Sequence, residues 1–287
     1  MKQSSISNLI TFLRSSNYIL RFNKHLSTQS AENDLRIDYL KSTFENFNKS
    51  NHYDFVTSKN PNILHLKQAS VLVPLTIRIE KNESKNYVQK MFYTFSKRTE
   101  IMNSFKGQVC FVGGKKDPSD KSAIETAYRE ANEEINIKPD QLTFLAQLCP
   151  LLTSNGILIN PIISYFEKCN YKPILNKNEV EMIFELPTER FLSKNGHHYK
   201  LIKNGKSEYY IHFFDDIING KKITTWGATA FLSIIISSIL HSRVPEFSVD
   251  PQIELSNQNI NNYLQDYLLV KSENRINFIA NKNRENN

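Results

Sequence analysis

Residues 128–137, YREANEEINI, place Arg129, Glu130, Glu133 and Glu134 within six positions. Like charges at helical spacing weaken an isolated helix, so a helix here needs a reason to exist. With Ile124 at the origin of a helical wheel, Ala127, Tyr128, Ala131 and Ile135 fall within roughly 60° of it. This is an apolar stripe with small residues, suited to close packing on a sheet. Glu130 and Glu134 lie about 40° apart on one flank of that stripe. Arg129 precedes Glu133 by one turn, so those two can pair. Glu130 and Glu134 are left as a carboxylate couple with no evident basic partner on the helix. A charged run of this kind is either a solvated face or a cation site.

The stretch before it bears on that choice. GGKKDPSD brings two glycines, two lysines and two aspartates just upstream of the helix. Glycine lets backbone amides and carbonyls approach a phosphate or a metal closely. No G-x-x-x-x-G-K-[ST] pattern is present, which excludes a P-loop.

The flanks give the fold class. ASVLVPLTIRI (69–79) and KNYVQKMFYTFSKR (85–98) are strand-like, with a hairpin turn expected at EKNES. GQVCFVGG (107–114) reads as a short strand ending in the glycine pair, and the helix follows over 121–135. LTFLAQL and ILINPIISYFE are further strands. FELPTERFL carries a strand end and a helix start at Pro187. EYYIHFF and KKITTW suggest a late hairpin, followed by an apolar helix over 228–240. Strands on both sides of a central helix imply an α/β fold, a mixed β-sheet layered between helices as an α/β/α sandwich. The expected organisation is a leader over 1–31, a helical lead-in over 32–68, one domain over 69–245 and a polar extension over 246–287, with one helix around NNYLQDYLLV.

Composition narrows the class. The 287 residues carry a formal charge of +7. The first 31 hold Lys2, Arg14, Arg21 and Lys24 and no acid, and setting them aside takes the balance to +3. That is too weak for a nucleic-acid partner, and no basic stripe with interleaved aromatics is present. The leader has the Ser-rich, acid-free composition of a mitochondrial transit peptide, with peroxisomal or cytoplasmic residence as alternatives. Cys110, Cys149 and Cys169 are widely spaced and suggest neither a zinc site nor a disulfide scaffold. The apolar run at 228–240 is short of the about 20 residues a membrane span needs. His197 and His198 have no nucleophile beside them and read as loop residues.

Residues 113–137 resemble the Nudix box of Nudix hydrolases, G-x5-E-x7-R-E-U-x-E-E-x-G-U, where U is apolar. Gly114 and Asp120 match its opening, with Asp for Glu. Arg129, Glu130, Ala131, Glu133, Glu134 and Ile137 match its close. The spacer from Asp120 to Arg129 is one residue longer than usual. That spacer and the Asp resemble the coenzyme A diphosphatase branch. So do FSKRTEIMNSFKGQVCFVGGKKD (95–117), INPII, NKNEVEMIFELPTERFL (176–192) and TWGATAFL. In the first of these Ser96, Arg98 and Thr99 take the places of a T-x-R-S signature. Val112 departs from the branch's Pro and Asn136 from the box's last Gly. An expected arginine before Gly107 is also absent. Asn is the next-best residue for a left-handed helix cap, so Asn136 should be tolerated.

The resemblance implies a small-molecule substrate, coenzyme A or an acyl-coenzyme A, cleaved at its diphosphate with Mg²⁺ or Mn²⁺. It implies metal binding by Glu130 and Glu134, with Glu133 as a further ligand or a water-holding base and Arg129 orienting Glu133. The backbone of Gly114 would reach metal or phosphate, and Arg98 and Lys115 would grip phosphates. Glu179 would be a distal catalytic carboxylate or a helix first-turn residue. Another nucleoside diphosphate derivative such as NADH or ADP-ribose, or a non-catalytic Nudix-fold binding role, are the alternatives.

Overall fold

The computed structural model describes residues 37–45, 58, 65–81, 87–102, 105–153, 156–204, 207–256, 258–260 and 262–267. The expected leader lies outside them, as do residues 82–84 of the expected EKNES turn, whose first two residues, Glu80 and Lys81, instead end a strand.

Strand β1 (Lys67–Lys81) is the spine of an eight-stranded mixed sheet. One edge of β1 runs parallel to β7 (Ile157–Phe166), from Lys67↔Ile157 to Leu75↔Tyr165. Its other edge is shared. The second half, from Leu75 on, pairs antiparallel with β2 (Tyr87–Arg98). The first half, Ala69 to Val71, pairs with β4 (Gly113–Lys115). Meanwhile β2 takes β3 (Val109–Cys110) at Ser96 and Lys97. The chain from β3 to β4 therefore fills a fork where β1 and β2 diverge. The sequence predicts one strand over this stretch; in the structure the fork splits it at Phe111 and Val112, although Val112 still accepts a bond from the Leu72 N–H at 2.8 Å. Pro74 sits at the fork. Two residues beyond Leu72, its N–H would point the same way, into the gap, and proline has none to leave unpaired.

Alternation along β1 and β7 sorts side chains to two faces. Leu72, Ile162 and Phe166 go to the face covered by helix α1 (Ala123–Ile135). Val73, Leu75, Ile163 and Tyr165 go to the face covered by helix α2 (Gly227–His241). Both faces of β7 are buried, which accounts for its near-continuous apolar sequence. The sandwich is thus helix, mixed sheet, helix, as expected from sequence. The sheet is completed by β5 (Leu142–Gln147) and β6 (Leu151–Leu152) on β7, and by β8 (Val180–Pro187) on β2. A short 3-10 turn, Thr188–Leu192, follows β8.

A second, three-stranded antiparallel sheet joins β9 (His197–Asn204), β10 (Ser207–Ile218) and β11 (Lys221–Trp226). The hairpin of β10 and β11 matches the sequence reading. Strand β9 corrects it: His197 and His198 begin a strand rather than occupy a loop, because their backbone pairs with Phe214 and Phe213 of β10.

Helix α2 is buried along its length from Ala230 to Leu240. A helix apolar on all sides must be covered on all sides. The outer cover comes from the flanking chain. Leu40 and Phe44 precede the sheet, and Val249, Leu255, Ile260, Tyr263 and Leu264 follow α2; all are buried in one core with Ile235 and Ile239. Phe231 stacks on Tyr267 at 4.7 Å. Among the described residues no helix is long and apolar enough to cross a membrane.

Behind β9 and β10 lies a histidine pair. His212 is buried, and its Nε2–H donates to the Val249 carbonyl at 2.9 Å. Its Nδ1 is then bare and accepts from His197 Nε2–H at 3.0 Å. His197 also stacks on Phe247 at 3.6 Å. Burial, and then the neighbouring His212, His198 and Arg190, hold His197 down to about 4. Burial likewise lowers His212, while Val249 and Asp250 oppose it. The unfolded chain takes up these protons near pH 6.5 and the folded chain only near pH 4 for His197. Stability is therefore full above pH 6.5 and falls as pH drops toward 4. The expected loss for His197 is roughly 1–3 kcal/mol, measured as the pH dependence of the urea unfolding midpoint.

Candidate active site

Helix α1 is held at both ends by its own sequence. Ser122 caps the start, its Oγ accepting from the Glu125 N–H at 3.1 Å. The Glu125 carboxylate accepts from the Lys121 N–H at 2.7 Å. At the other end Asn136 takes the left-handed conformation, φ 63° and ψ 30°. The Ile137 N–H then turns back to the Ala131 carbonyl. Asn136 thus performs the turn expected of glycine and adds a bond from Nδ2 to the Lys172 carbonyl. Ala127, Ala131 and Ile135 are fully buried against the sheet, as the wheel predicts. Burial of Ile135 alone is worth about 1.5–3 kcal/mol. Burial extends beyond the apolar stripe to Thr126 and to Glu134, which is 2 % exposed.

Arg129 organises the carboxylates. Its Nε and Nη2 donate to the two oxygens of Asp120, both at 3.0 Å. Nη2 also donates to the Lys115 carbonyl at 3.2 Å, and Nη1 to Glu133 Oε2 at 2.9 Å. Asp120 in turn accepts from the Asp117 N–H at 2.8 Å. These bonds to Arg129, with the backbone bond second, hold Asp120 down to about 2. One guanidinium so ties the glycine loop to the helix. The predicted pairing of Arg129 with Glu133 is present, and Glu133 faces outward with a side chain 55 % exposed.

Glu130 has a basic partner on the helix, contrary to expectation, while Glu134 finds one only off the helix. Glu130 Oε1 lies 3.0 Å from Arg129 Nη2. Both hydrogens of Nη2 are directed elsewhere, to Asp120 and Lys115, so charge more than directed bonding holds Glu130 there. Glu134 Oε1 lies 3.7 Å from Arg98 Nη1, beyond hydrogen-bond distance. No feature of the helix signals this contact, because Arg98 comes from the end of β2.

Glu134 is costly as it stands. Its Oε2 is buried without a hydrogen-bond partner, as is Arg98 Nε. Burial pushes its carboxyl up to about 8, against Arg98 and the Gly113 N–H, and with the charges of Glu179 and Glu130 adding to the rise. Glu130 is raised too, mainly by burial and opposed by Arg129. Glu179 lies in the turn before β8, not in a helix, and its charge reaches both Glu130 and Glu134. Its position is fixed by Asn176, whose Nδ2 donates to Glu179 Oε1 at 3.2 Å. The structure therefore sets Arg98 against Glu134, with Glu130 and Glu179 near enough for their charges to act on it. It leaves Glu133 on the outer side of Arg129, and Lys115 exposed at the loop.

The glycine pair serves two different neighbours. A Cβ on Gly113 would meet the Ser70 carbonyl oxygen of β1 at 2.2 Å. A Cβ on Gly114 would meet Glu130 Oε1 at 2.5 Å. The first glycine lets the sheet close; the second makes room for a carboxylate.

The residues fit a hard divalent cation. Their donors are carboxylate oxygens, and Glu134 Oε2 is a buried acceptor with nothing to accept from. Among the described residues no three His, Cys, Asp or Glu side chains converge into a ready-made cage. A cation that keeps several waters and shares substrate phosphates does not require one.

A family profile described as the NUDIX domain matches residues 92–205. The Mus musculus protein named peroxisomal coenzyme A diphosphatase NUDT7 is 30% identical over 183 residues, 63% of this chain and 73% of that protein. The Arabidopsis thaliana protein named Nudix hydrolase 15, mitochondrial, is 31% identical over 191 residues, 66% of this chain and 64% of that protein. Among solved structures, a Caenorhabditis elegans Ap4A hydrolase binary complex is 17% identical, with a TM-score of 0.33 over 42% of this chain and 80% of that one.

Replacing Gly114 by Ala separates the site from the fold. The added Cβ meets only the end of a flexible side chain, so stability is expected to stay within about 1 kcal/mol. Glu130 must leave its place, and a crystal structure of the variant is expected to show its carboxylate displaced from Arg129.

Proposed function

The chain is a Nudix hydrolase, and from that premise we propose that it cleaves the diphosphate of coenzyme A and its thioesters. The products are 4′-phosphopantetheine, or its acyl form, and adenosine 3′,5′-bisphosphate. The observation that carries this reading is the contact between two signatures. Arg98, from the stretch that resembles the coenzyme A branch, lies 3.7 Å from Glu134 of the Nudix box. The similarity to a mouse protein named for coenzyme A hydrolysis supports the same substrate.

Nudix hydrolases generally use divalent cations. Here Glu130 and Glu134 would hold Mg²⁺ or Mn²⁺; Glu133 would have to leave its outward pairing with Arg129 to serve as a further ligand or as the base that holds the attacking water. Such an ion screens the phosphate oxygens and lowers the pKa of bound water. The remaining work falls to side chains. Arg98 stands beside Glu134 through Nη1 and its buried Nε–H has no partner, which would suit it to donate to a substrate phosphate. Lys115 stands at the loop as a mobile counter-charge. The Gly114 backbone lies within reach of the same carboxylates. Arg129 acts as a positioning residue: it fixes Asp120, the loop and Glu133 together. Glu179 adds negative charge to the cluster.

The test is product analysis after incubation of coenzyme A with Mg²⁺ or Mn²⁺. Adenosine 3′,5′-bisphosphate is expected, and Glu134→Gln is expected to lower the rate by roughly a hundredfold or more. Absence of that product sinks the reading. Faster turnover of ADP-ribose or NADH than of coenzyme A would replace it with the dinucleotide alternative.

The acid-free leader supports delivery to mitochondria. A fluorescent protein fused behind residues 1–31 should then enter mitochondria; exclusion from them would overturn the assignment.

A further inference from the structure

A second recess lies away from the carboxylates. It is a cleft of about 400 Å³ between the β2–β3 edge of the large sheet and strand β11 of the small one. Lys97, Lys106 and Lys222 line it, together with Gln108, Thr224 and Trp226. No acidic side chain is among its lining residues. Lys97 and Arg98 are neighbours on β2, so their side chains leave opposite faces of the sheet. Lys97 continues the face of Tyr93 and Phe95, which pack toward α2. The cleft therefore opens on the side of the sheet away from Glu134.

One wall of it carries Trp226, and two further rings back that tryptophan. Trp226 stacks on Phe213 at 5.8 Å and 10°, and Phe213 on His198 at 5.0 Å and 5°. The three rings form a ladder across β11, β10 and β9, in register at Phe213↔Trp226 and Phe213↔His198. A flat ring surface of this kind suits the face of a base. Beside it stand three ammonium groups from three separate segments. Lys97 is paired with Glu181 at 2.5 Å and Lys222 with Asp215 at 3.0 Å. Lys106 makes no ion pair among the described residues. The Lys222 pair is open to solvent, its lysine 65 % exposed, so a phosphate can draw that ammonium away at little cost. Volume, charge and ring surface agree: a pocket of this size falls in the range of about 300–1,000 Å³ that holds small ligands.

We propose that this cleft is a second ligand site that binds a nucleoside diphosphate, with the base against Trp226 and the phosphates on Lys97, Lys106 and Lys222. It is distinct from the carboxylate site, and it does not rest on the coenzyme A reading.

Trp226 is the only tryptophan in the chain, so its emission reports on the cleft directly. The experiment titrates the full-length protein with ADP in the presence of chelator, which keeps the hydrolytic site silent. A saturable change in emission is expected. It should persist in Arg98→Ala and weaken about tenfold or more in a Lys106→Ala/Lys222→Ala double variant. Pyrophosphate alone and adenosine alone should each bind at least about tenfold more weakly than ADP. Both substituted lysines are exposed, and circular dichroism of the double variant checks that the fold is retained. Four results overturn the proposal: no saturable change, a response that survives the double substitution, a response abolished in Arg98→Ala, or pyrophosphate matching ADP.

Discussion

The Arg129 guanidinium is the interaction on which the site depends. It has five N–H groups in one plane, and four of them are directed to named acceptors: two to Asp120, one to Lys115, one to Glu133. Three of those acceptors belong to different turns of chain, so a single residue fixes the loop over the helix. The same arrangement explains why Asp can stand at position 120. A shorter side chain suffices where both of its oxygens are met by one fork, and the Asp117 N–H completes the shell. Lysine could offer Arg129's charge but not this planar set of donors.

The loop itself is positioned by a fault in sheet pairing. Strands β1 and β2 part at Leu75 and Tyr93, and the chain from β3 to β4 enters between them. Pro74 makes the parting cheap, since it withholds the one donor that would be stranded there. The glycine pair then closes the fork: Gly113 against β1, Gly114 beneath Glu130. Fold and site meet at these two residues. A sheet that paired regularly along β1 would leave no room for the loop that carries Lys115 and Asp120.

Much of this was legible in the sequence because the signals were local. The apolar stripe of α1, the cap at Asn136, the strand pattern of β1, β2 and β7, and the Arg129–Glu133 pair all follow from spacing of one or two turns. What was hidden is what long-range contact decides. The fork breaks a predicted strand in two, yet nothing in GQVCFVGG marks the break. Strand β9 has a polar, histidine-containing start, and it is a strand because β10 pairs with it. Arg98 reaches Glu134 across 36 positions of sequence, through the register of β2 against β3 and the packing of α1 on the sheet. The helical wheel puts Glu134 on the edge of the stripe; only the surrounding sheet shows that the edge is buried.

That burial sets the energetics of the site. A carboxylate taken from water without full compensation either keeps its proton or costs stability. For Glu134 the compensation present is one backbone N–H and a guanidinium at 3.7 Å, while Glu130 and Glu179 act against it. The balance falls on the side of the proton, with a carboxyl raised to about 8. A structural role would not require this expense, since a Gln or Leu at the same helix position would pack against Ala131 and the sheet with no charge to satisfy. Under the proposed function the cost becomes intelligible, with a cation as the missing partner: the same low dielectric that penalises the lone carboxylate would strengthen its attraction to a divalent ion. Arg98, with its own unpaired Nε–H, is in the complementary position toward an anion. A buried acceptor on Glu134 and a buried donor on Arg98, each incomplete, are the groups that the metal-bound phosphate of the proposed function would complete.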